Sequence, residues 1–494
     1  MRRRASWRLL ILIVTAVPCA AEVLTPEILI ERVRLHHPVM IRARLTAART
    51  EAERLEKQGA FDARLKGRTR YLRYNSSSAV GAVQKVLESS FSVDFLTRYG
   101  IAVSTGFKRA AGDIKTPVSP TGESGEYFLE VTVPLLRNLG ENPKAAAESQ
   151  AFLKESLARL KVRRTELKLL EDALKRYWTW VGAKHKLAVE ERLLQLARER
   201  LSAVENKIRS GLLPRIDRVE ADREVQRRLG RVRKARRVLQ KSAYALSLFL
   251  WREELQPDGV PEPEQAPSPI PPPRPLTPER VEAGKLTALT RRPELRVLKL
   301  AQDIAAIDRE LARNQLLPRL DLVLWQGWQT GADAIEGPVI KAGVQLELPV
   351  LRRGAKGRLR QALLDLANLN AQEKQTLRRI LIEIQDWASE IQAAYDRYRA
   401  ARDELRLARA LEAGEKKAFD LGDSTLFLVN RRERASGEAN VKLIDVLVEY
   451  HQAVAGFLAA TTELAGETPA AQNGNPVSQA ISPPIPRLNE PMAN

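Results

Sequence analysis

Between residues 144 and 210 the chain has no proline and a single internal glycine, Gly182, while Leu153, Leu160, Leu167, Leu174 and Val181 recur every seven residues. Leu187, Leu194 and Leu201 continue the spacing. A seven-residue apolar repeat keeps one stripe facing a partner helix, so it predicts a coiled-coil helix, roughly 100 Å long at about 1.5 Å per residue. The run from Arg353 to Leu421 predicts a second helix of similar length. Shorter helical stretches, about 35 residues before Phe61 and about 40 after Pro214, would match one long helix if stacked end to end. Between the helical runs the period changes to two. Lys66, Arg68 and Arg70 alternate with Leu65, Gly67, Thr69 and Tyr71, and Tyr127, Leu129, Val131 and Val133 share a face. Leu320, Leu322 and Leu324 do the same, as do Ile340, Ala342, Val344, Leu346 and Leu348. Such two-faced segments of about ten residues suit either a transmembrane barrel or a half-buried strand in a soluble sandwich.

These elements occur twice. Laying His37-Pro38 on Arg292-Pro293 brings Phe61-Asp62-Ala63-Arg64-Leu65 onto Leu316-Leu317-Pro318-Arg319-Leu320. Further on, Val131-Thr132-Val133-Pro134-Leu135-Leu136-Arg137 meets Leu346-Glu347-Leu348-Pro349-Val350-Leu351-Arg352, and Gly211 meets Gly422. Anchors in one order at similar spacing define a tandem repeat of about 200 residues. The expected halves are 22–255 and 279–467, joined by 256–278, where ten of 23 residues are proline and an extended linker is expected. Residues 468–494 lack periodicity and are expected to be disordered.

The strands set a counting problem. Two per half make four per chain, too few to close a barrel, and lipid tolerates no open sheet edge. Strands in a membrane would therefore be shared among chains, and three chains would supply twelve. Tyr74 to Glu126 is longer than its counterpart after Trp328 and reads as an extracellular loop. An alternating patch around Phe91, Val93 and Phe95 is compatible with an extra hairpin there.

Composition narrows the chemistry. Of 494 residues one is cysteine, three are methionine and four are histidine, which argues against disulfide, zinc-ribbon and iron–sulfur scaffolds. Residues 1–21 read as a signal peptide: Arg2, Arg3, Arg4 and Arg8, then an apolar run from Leu9 to Val17, then Cys19-Ala20-Ala21. Lipidation of Cys19 is the rival, with Pro18 placed where a small residue is wanted. After residue 21 no stretch of about 18 uninterrupted apolar residues follows. The net charge of +20 (81 − 61) becomes +16 (77 − 61) without the four leader arginines. Export and interspersed acidic residues argue for a solvated helical surface rather than for nucleic-acid binding.

The tandem halves, the strand exits Val133-Pro134-Leu135-Leu136-Arg137-Asn138-Leu139-Gly140 and Leu348-Pro349-Val350-Leu351-Arg352-Arg353-Gly354, and the turns at Gly211 and Gly422 resemble the TolC-type outer-membrane efflux proteins from Leu24 to about Leu464. The Pro-Leu-Leu-Arg-Asn-Leu-Gly wording is similar to one subgroup of that family. The resemblance implies a mostly α fold with a small β part. Tandem-repeat coiled-coil helices would form an α-barrel tunnel in the periplasm, and four strands per chain would enter a β-barrel shared by a homotrimer in outer-membrane lipid. It implies a passive exit duct for efflux or type I secretion, opened by a periplasmic adaptor protein, energised by an inner-membrane transporter, and needing no cofactor.

The same resemblance puts the turns Lys207 to Asp217 and Ala418 to Phe427 at the periplasmic end. Adaptor docking would involve Arg209, Gly211, Leu212, Leu213 and Pro214 on one turn, and Gly422, Ser424, Thr425 and Leu426 on the other. The family's acidic aperture positions fall here on Leu428 and Arg431, a departure that puts cation selection in doubt. Three converging Arg431 side chains would repel cations and attract anions. Alternatively Arg431 pairs with a neighbouring carboxylate, and Asp423 or Asp217 supplies the aperture charge.

No enzyme site is legible. His36 and His37 are adjacent, so on a helix they diverge by about 100° and cannot chelate one ion as an i, i+4 pair would. His185 and His451 are solitary, Glu51 and Glu53 lie on a solvated face, and Trp178 and Trp180 suit coiled-coil packing. Two rival classes remain, a periplasmic adaptor and a structural coiled-coil protein. An adaptor normally has one hairpin in a soluble β module, and a purely structural coil has no use for matched strands in both halves.

Overall fold

The computed structural model describes residues 23–332 and 334–464. The expected leader with Cys19 and the tail 468–494 lie outside the described residues. The chain begins with α1 (Pro26–His36) and α2 (Pro38–Gln58), then four strands, β1 (Arg64–Ser76), β2 (Ala79–Leu96), β3 (Ala102–Gly112) and β4 (Gly125–Pro134). The long α3 (Pro143–Arg209) and α4 (Ile216–Ser247) follow. After the proline-rich segment come α5 (Pro278–Arg291), α6 (Pro293–Asn314), β5 (Arg319–Thr330), β6 (Val339–Glu347), α7 (Arg353–Leu421) and α8 (Leu426–Ala460). The order helix, helix, strands, long helix, helix thus occurs twice.

The helical stretch before Phe61 is two helices rather than one. Proline disfavours helical backbone at the residue before it, and His37 is extended (φ −67°, ψ 130°). Its Nδ1 caps α2 by accepting from the Val39 N–H at 3.1 Å. The ring sits beside Phe249 and Trp251, and burial pushes its pKa down, which suits a neutral acceptor. Pro293 opens α6 in the same way.

Both long helices match their sequence limits, at 67 residues for α3 and 69 for α7. Neither buries its whole length in one chain. Leu167, Leu174, Val181 and Leu194 of the heptad stripe are buried, whereas Leu363, Leu364, Leu407 and Leu411 of α7 are exposed. Helix α8 packs against both α3 and α7. It approaches closely because glycine replaces bulk at the contacts: Gly182 of α3 faces Val448, Gly437 faces Leu193, and Gly456 faces the Trp387 ring. By length and composition α8 contains a window apolar enough to cross a membrane, which the uninterrupted-run criterion had passed over; 56% of that window is buried inside the protein. Its apolarity serves packing.

The main core surrounds Tyr177 and Trp180 and includes Leu29, Val33, Leu170 and Leu246. The Tyr177 hydroxyl donates to the Leu24 carbonyl at 2.8 Å, and Trp178 stacks on His451 with ring centroids 4.0 Å apart. The proline-rich linker is extended but not free. Ala266 and Ile270 are buried in this core, the Arg274 N–H donates to the Tyr450 hydroxyl, and His451 Nε2 lies 2.9 Å from the Pro271 carbonyl oxygen. It is a strap bound to the helices.

The six strands form one antiparallel sheet in sequential order, β1 to β6. This corrects the count of four per chain. The interval expected to be a loop carries the β2–β3 hairpin, and β1 never pairs with β4. The alternating patch at Phe91, Val93 and Phe95 lies in β2; beyond it the pattern fades, because Ser89 interrupts the apolar face and β3 ends in Ala110-Ala111-Gly112, which are weak strand formers. Residues 113–124, joining β3 to β4, fold back on the sheet: Val118 packs with Val86 and Ala110, and the Ala110 N–H donates to Thr121 Oγ1 at 3.0 Å.

A Cβ added at Gly456 would lie 2.5 Å from Cε2 of Trp387, a rigid ring that can escape only by moving as a body. Gly456→Ala is expected to destabilise the fold by about 1–3 kcal/mol as an overpacking change. Thermal unfolding of the purified protein measures this, and an unchanged midpoint would refute the close α7–α8 approach.

Candidate functional site: a two-faced sheet and a four-helix tip

Register assigns every strand residue to one of two faces. One row crosses all six strands through Arg64, Asp94, Ser104, Glu130, Trp325 and Lys341. The next residue along belongs to the opposite face, where the row is Leu65, Val93, Thr105, Leu129, Gln326 and Ile340. On the polar face charges meet in pairs: Lys66 with Asp94, Arg70 with Glu88, Lys108 with Glu126 at 3.1 Å, and Arg319 with Asp321 at 2.6 Å. Lys108 and Lys341 also lie over the Trp325 ring at 4.5 and 4.3 Å. The other face is mostly apolar and exposed, with Leu65 at 67%, Ile340 at 68% and Leu346 at 65% exposure, and its charged residues Arg73, Lys85 and Arg109 lie toward the end of the sheet away from the helices. Water penalises a broad, mostly apolar face of this kind, whereas lipid or a partner surface accepts it.

At the far end of the long helices the two turns pack together. Val204 of α3, Ala221 of α4 and Leu426 of α8 are buried in one cluster, with Ile208, Leu213 and Phe419 against it. Gly211 (φ +75°) and Gly422 (φ +93°) adopt the left-handed conformation that reverses a chain after a helix. The Leu212 N–H returns to the Lys207 carbonyl at 2.8 Å, and the Asp423 N–H to that of Ala418 at 2.9 Å. Thr425 caps α8. Ser424 donates to Glu415 at 2.5 Å, and Arg432 lies 3.3 Å from the same carboxylate.

Both sets of expected turn residues therefore share one tip. Arg209, Leu212, Pro214 and Asp423 are exposed, Leu213 and Leu428 are half-buried, and Leu426 faces inward. Arg209 is tied to Asn206 at 2.6 Å. Arg431 is exposed, and among the described residues no carboxylate pairs with it. Asp217 lies in the first turn of α4.

Sequence reasoning missed the polar clamps above this tip. Arg200 of α3 grips Glu433 of α8 with both terminal nitrogens, one of which also donates to Asn430 Oδ1 at 2.8 Å. The side chains are only 12% and 6% exposed. Helix α4 reaches α8 through Arg231 and Glu438 at 3.4 Å, and Glu224 and Arg434 at 3.9 Å. Partners more than 200 residues apart leave no spacing signal.

Residues 287–462 match the family model described as outer membrane efflux protein. The fold is that of outer-membrane channels. The CmeC outer membrane channel of Campylobacter jejuni superposes with TM-score 0.62 at 13% identity, over 88% of this chain and 85% of that one. VceC of Vibrio cholerae gives 0.62 at 16% identity, over 88% and 95%, and the open-state MtrE outer membrane channel of Neisseria gonorrhoeae gives 0.62 at 15%, over 88% of each. Among curated proteins none matches the sequence.

Two outcomes are expected at the tip. Removing Arg200 strands a buried carboxylate, so Arg200→Ala should cost about 3–5 kcal/mol, more than Arg200→Lys; equal and small shifts in thermal unfolding would show the clamp to be idle. The pKa of Glu415 is held below its ordinary value of 4.5 by the Ser424 hydrogen bond and by Arg432. A carboxylate with a depressed folded pKa stabilises above its unfolded pKa and loses that contribution as pH falls through the folded value. Proteolytic nicking within 418–427 should therefore rise below pH 4.5 in the wild type, and Glu415→Gln should be nicked faster already at neutral pH, with less further change.

Proposed function

We propose that the protein is an outer-membrane exit duct for efflux or type I secretion: a homotrimer whose sheets lie in the outer membrane and whose helices form a periplasmic tunnel. The observation that carries the reading is the two-faced sheet, exposed and mostly apolar on one side and charge-paired on the other, joined at one edge to two long helical hairpins. Lipid accepts the first face and an aqueous lumen the second. The exposed leucines of α7 suit coiled-coil neighbours in other copies, and two hairpins from each of three chains make a twelve-helix tube. The family match over 287–462 and the shared channel fold support the same reading.

The duct holds no energy source of its own and is passive in this reading. A periplasmic adaptor docks at the helical tip, on the turns carrying Arg209, Gly211, Leu212 and Pro214, and Gly422, Ser424 and Thr425; an inner-membrane transporter supplies the energy. Leu213 and Leu426 hold the two turns together from within. Arg431, exposed and without a charged partner on α8, makes the aperture cation-repelling when three copies converge on the axis.

Purified protein in planar bilayers should give single-channel steps with anion preference in a salt gradient. Arg431→Asp should move the reversal potential toward cation preference. Absence of steps after refolding in detergent would sink the duct, whereas steps with an unchanged reversal potential would remove only Arg431 from the aperture.

A further inference from the structure

The β2–β3 hairpin is the departure from a two-hairpin chain, and its side chains continue both faces of the sheet. Phe91 pairs with Phe107, Phe107 with Tyr127, and Tyr127 with Trp328, so one aromatic row runs across β2, β3, β4 and β5. The Phe107 and Tyr127 rings lie 5.1 Å apart. Phe95 pairs with Val103, and Val103 with Val131, on the same face. The opposite face of the hairpin carries Glu88, Asp94 and Lys108, which bond to Arg70, to Lys66 and to Glu126 on the flanking strands. A hairpin hanging in water would need no apolar face in register with its neighbours.

Both strands are long enough to span, at 18 residues for β2 and 11 for β3, against the roughly 9–11 that a tilted membrane strand needs. The turn between them is fixed at the helical side of the sheet. Arg98 makes two hydrogen bonds to Glu148 of α3, at 2.8 and 2.7 Å, and its carbonyl accepts from Asn142 at 2.8 Å. Gly100 (φ +90°) lies so close to Asn138 that a Cβ would come within 2.3 Å of its carbonyl oxygen. The hairpin therefore descends to the level where β1 and β4 meet the helices.

The geometry points to a barrel of eighteen strands, six from each of three copies, in which the β2–β3 hairpin is part of the lipid-facing wall. This inference rests on the membrane-duct reading above. Edges β1 and β6 each have one strand neighbour within the chain, and lipid cannot satisfy the free N–H and C=O groups of the other side. Because six antiparallel strands alternate in direction, β6 of one copy runs antiparallel to β1 of the next, and the ring closes without a mismatch. Circumference agrees. Twelve helices spaced about 8–10 Å apart need roughly 100–120 Å. Eighteen strands about 4.8 Å apart and tilted about 45° need about 120 Å, whereas twelve need only about 80 Å.

The test uses full-length protein in lipid vesicles, spin-labelled at single cysteines, the natural cysteine being only Cys19. Oxygen accessibility should exceed that of a water-soluble nickel chelate several-fold at Phe91→Cys, Val93→Cys and Phe107→Cys, as at the reference positions Leu129→Cys and Leu324→Cys. Ser90→Cys and Ser92→Cys should show the reverse. If the reference sites report lipid but all three hairpin sites report water, the hairpin lies outside the wall and the eighteen-stranded barrel is wrong while the duct stands. If the reference sites also report water, both readings fall. Distances between equivalent labels at Leu129→Cys in the three copies should be about 1.5-fold those of a twelve-stranded ring; a spacing that fits twelve strands overturns the proposal.

Discussion

Helix α8 lies in the seam between α3 and α7, and the close approach permitted by Gly182, Gly437 and Gly456 fixes how the two halves of the chain sit against each other. Small residues matter here because dispersion falls steeply with separation, and a methyl group in the seam would push two long helices apart along much of their length. From this seam the polar clamp Arg200–Glu433 sets the rotation of α8 on α3 near the tip. At the other end, β4 of the first half pairs with β5 of the second from Gly125–Thr330 to Pro134–Asp321. Sheet and tip are both consequences of one rigid helical seam.

The two ends solve opposite solvent problems. In the sheet, alternation presents a mostly apolar surface to one medium and neutralised charge pairs to the other. In the tip, four helix ends leave backbone groups without helical partners, and some are recovered by the turns at the left-handed glycines and by the Thr425 cap, while Ser424, Glu415 and Arg432 join the turn, α7 and α8 through side chains. The tip is joined by the small apolar cluster of Val204, Ala221 and Leu426, with polar side-chain contacts around it.

The proline-rich strap shows how composition and environment combine. Proline keeps the segment extended, yet Ile270 and Ala266 reach the core, and its carbonyls at Pro267 and Pro271 lie within hydrogen-bonding distance of His185 and His451. Burial lowers the pKa of both imidazoles, so they sit there as neutral rings. The histidines are packing groups around a strap, and their solitary distribution in the sequence has that explanation.

Local order determined a great deal of this. Heptad spacing in an unbroken run marked α3, and a run of similar length from Arg353 to Leu421 marked α7. Pro38 and Pro293 mark helix starts through φ restriction, and Gly211 and Gly422 mark turns through φ freedom. Alternation marked β1, β4, β5 and β6, where bulky apolar residues strengthen the pattern. The β2–β3 hairpin was half legible: Phe91, Val93 and Phe95 alternate, but serine, alanine and glycine blur the rest, and only pairing with β1 and β4 reveals which face each residue occupies. Tertiary structure alone decided the apolar contacts that join the two turns, the binding of the strap, and the clamps Arg200–Glu433 and Arg231–Glu438. Contacts between residues more than 200 positions apart arise from how helices pack in space, and a linear sequence has no period that encodes them.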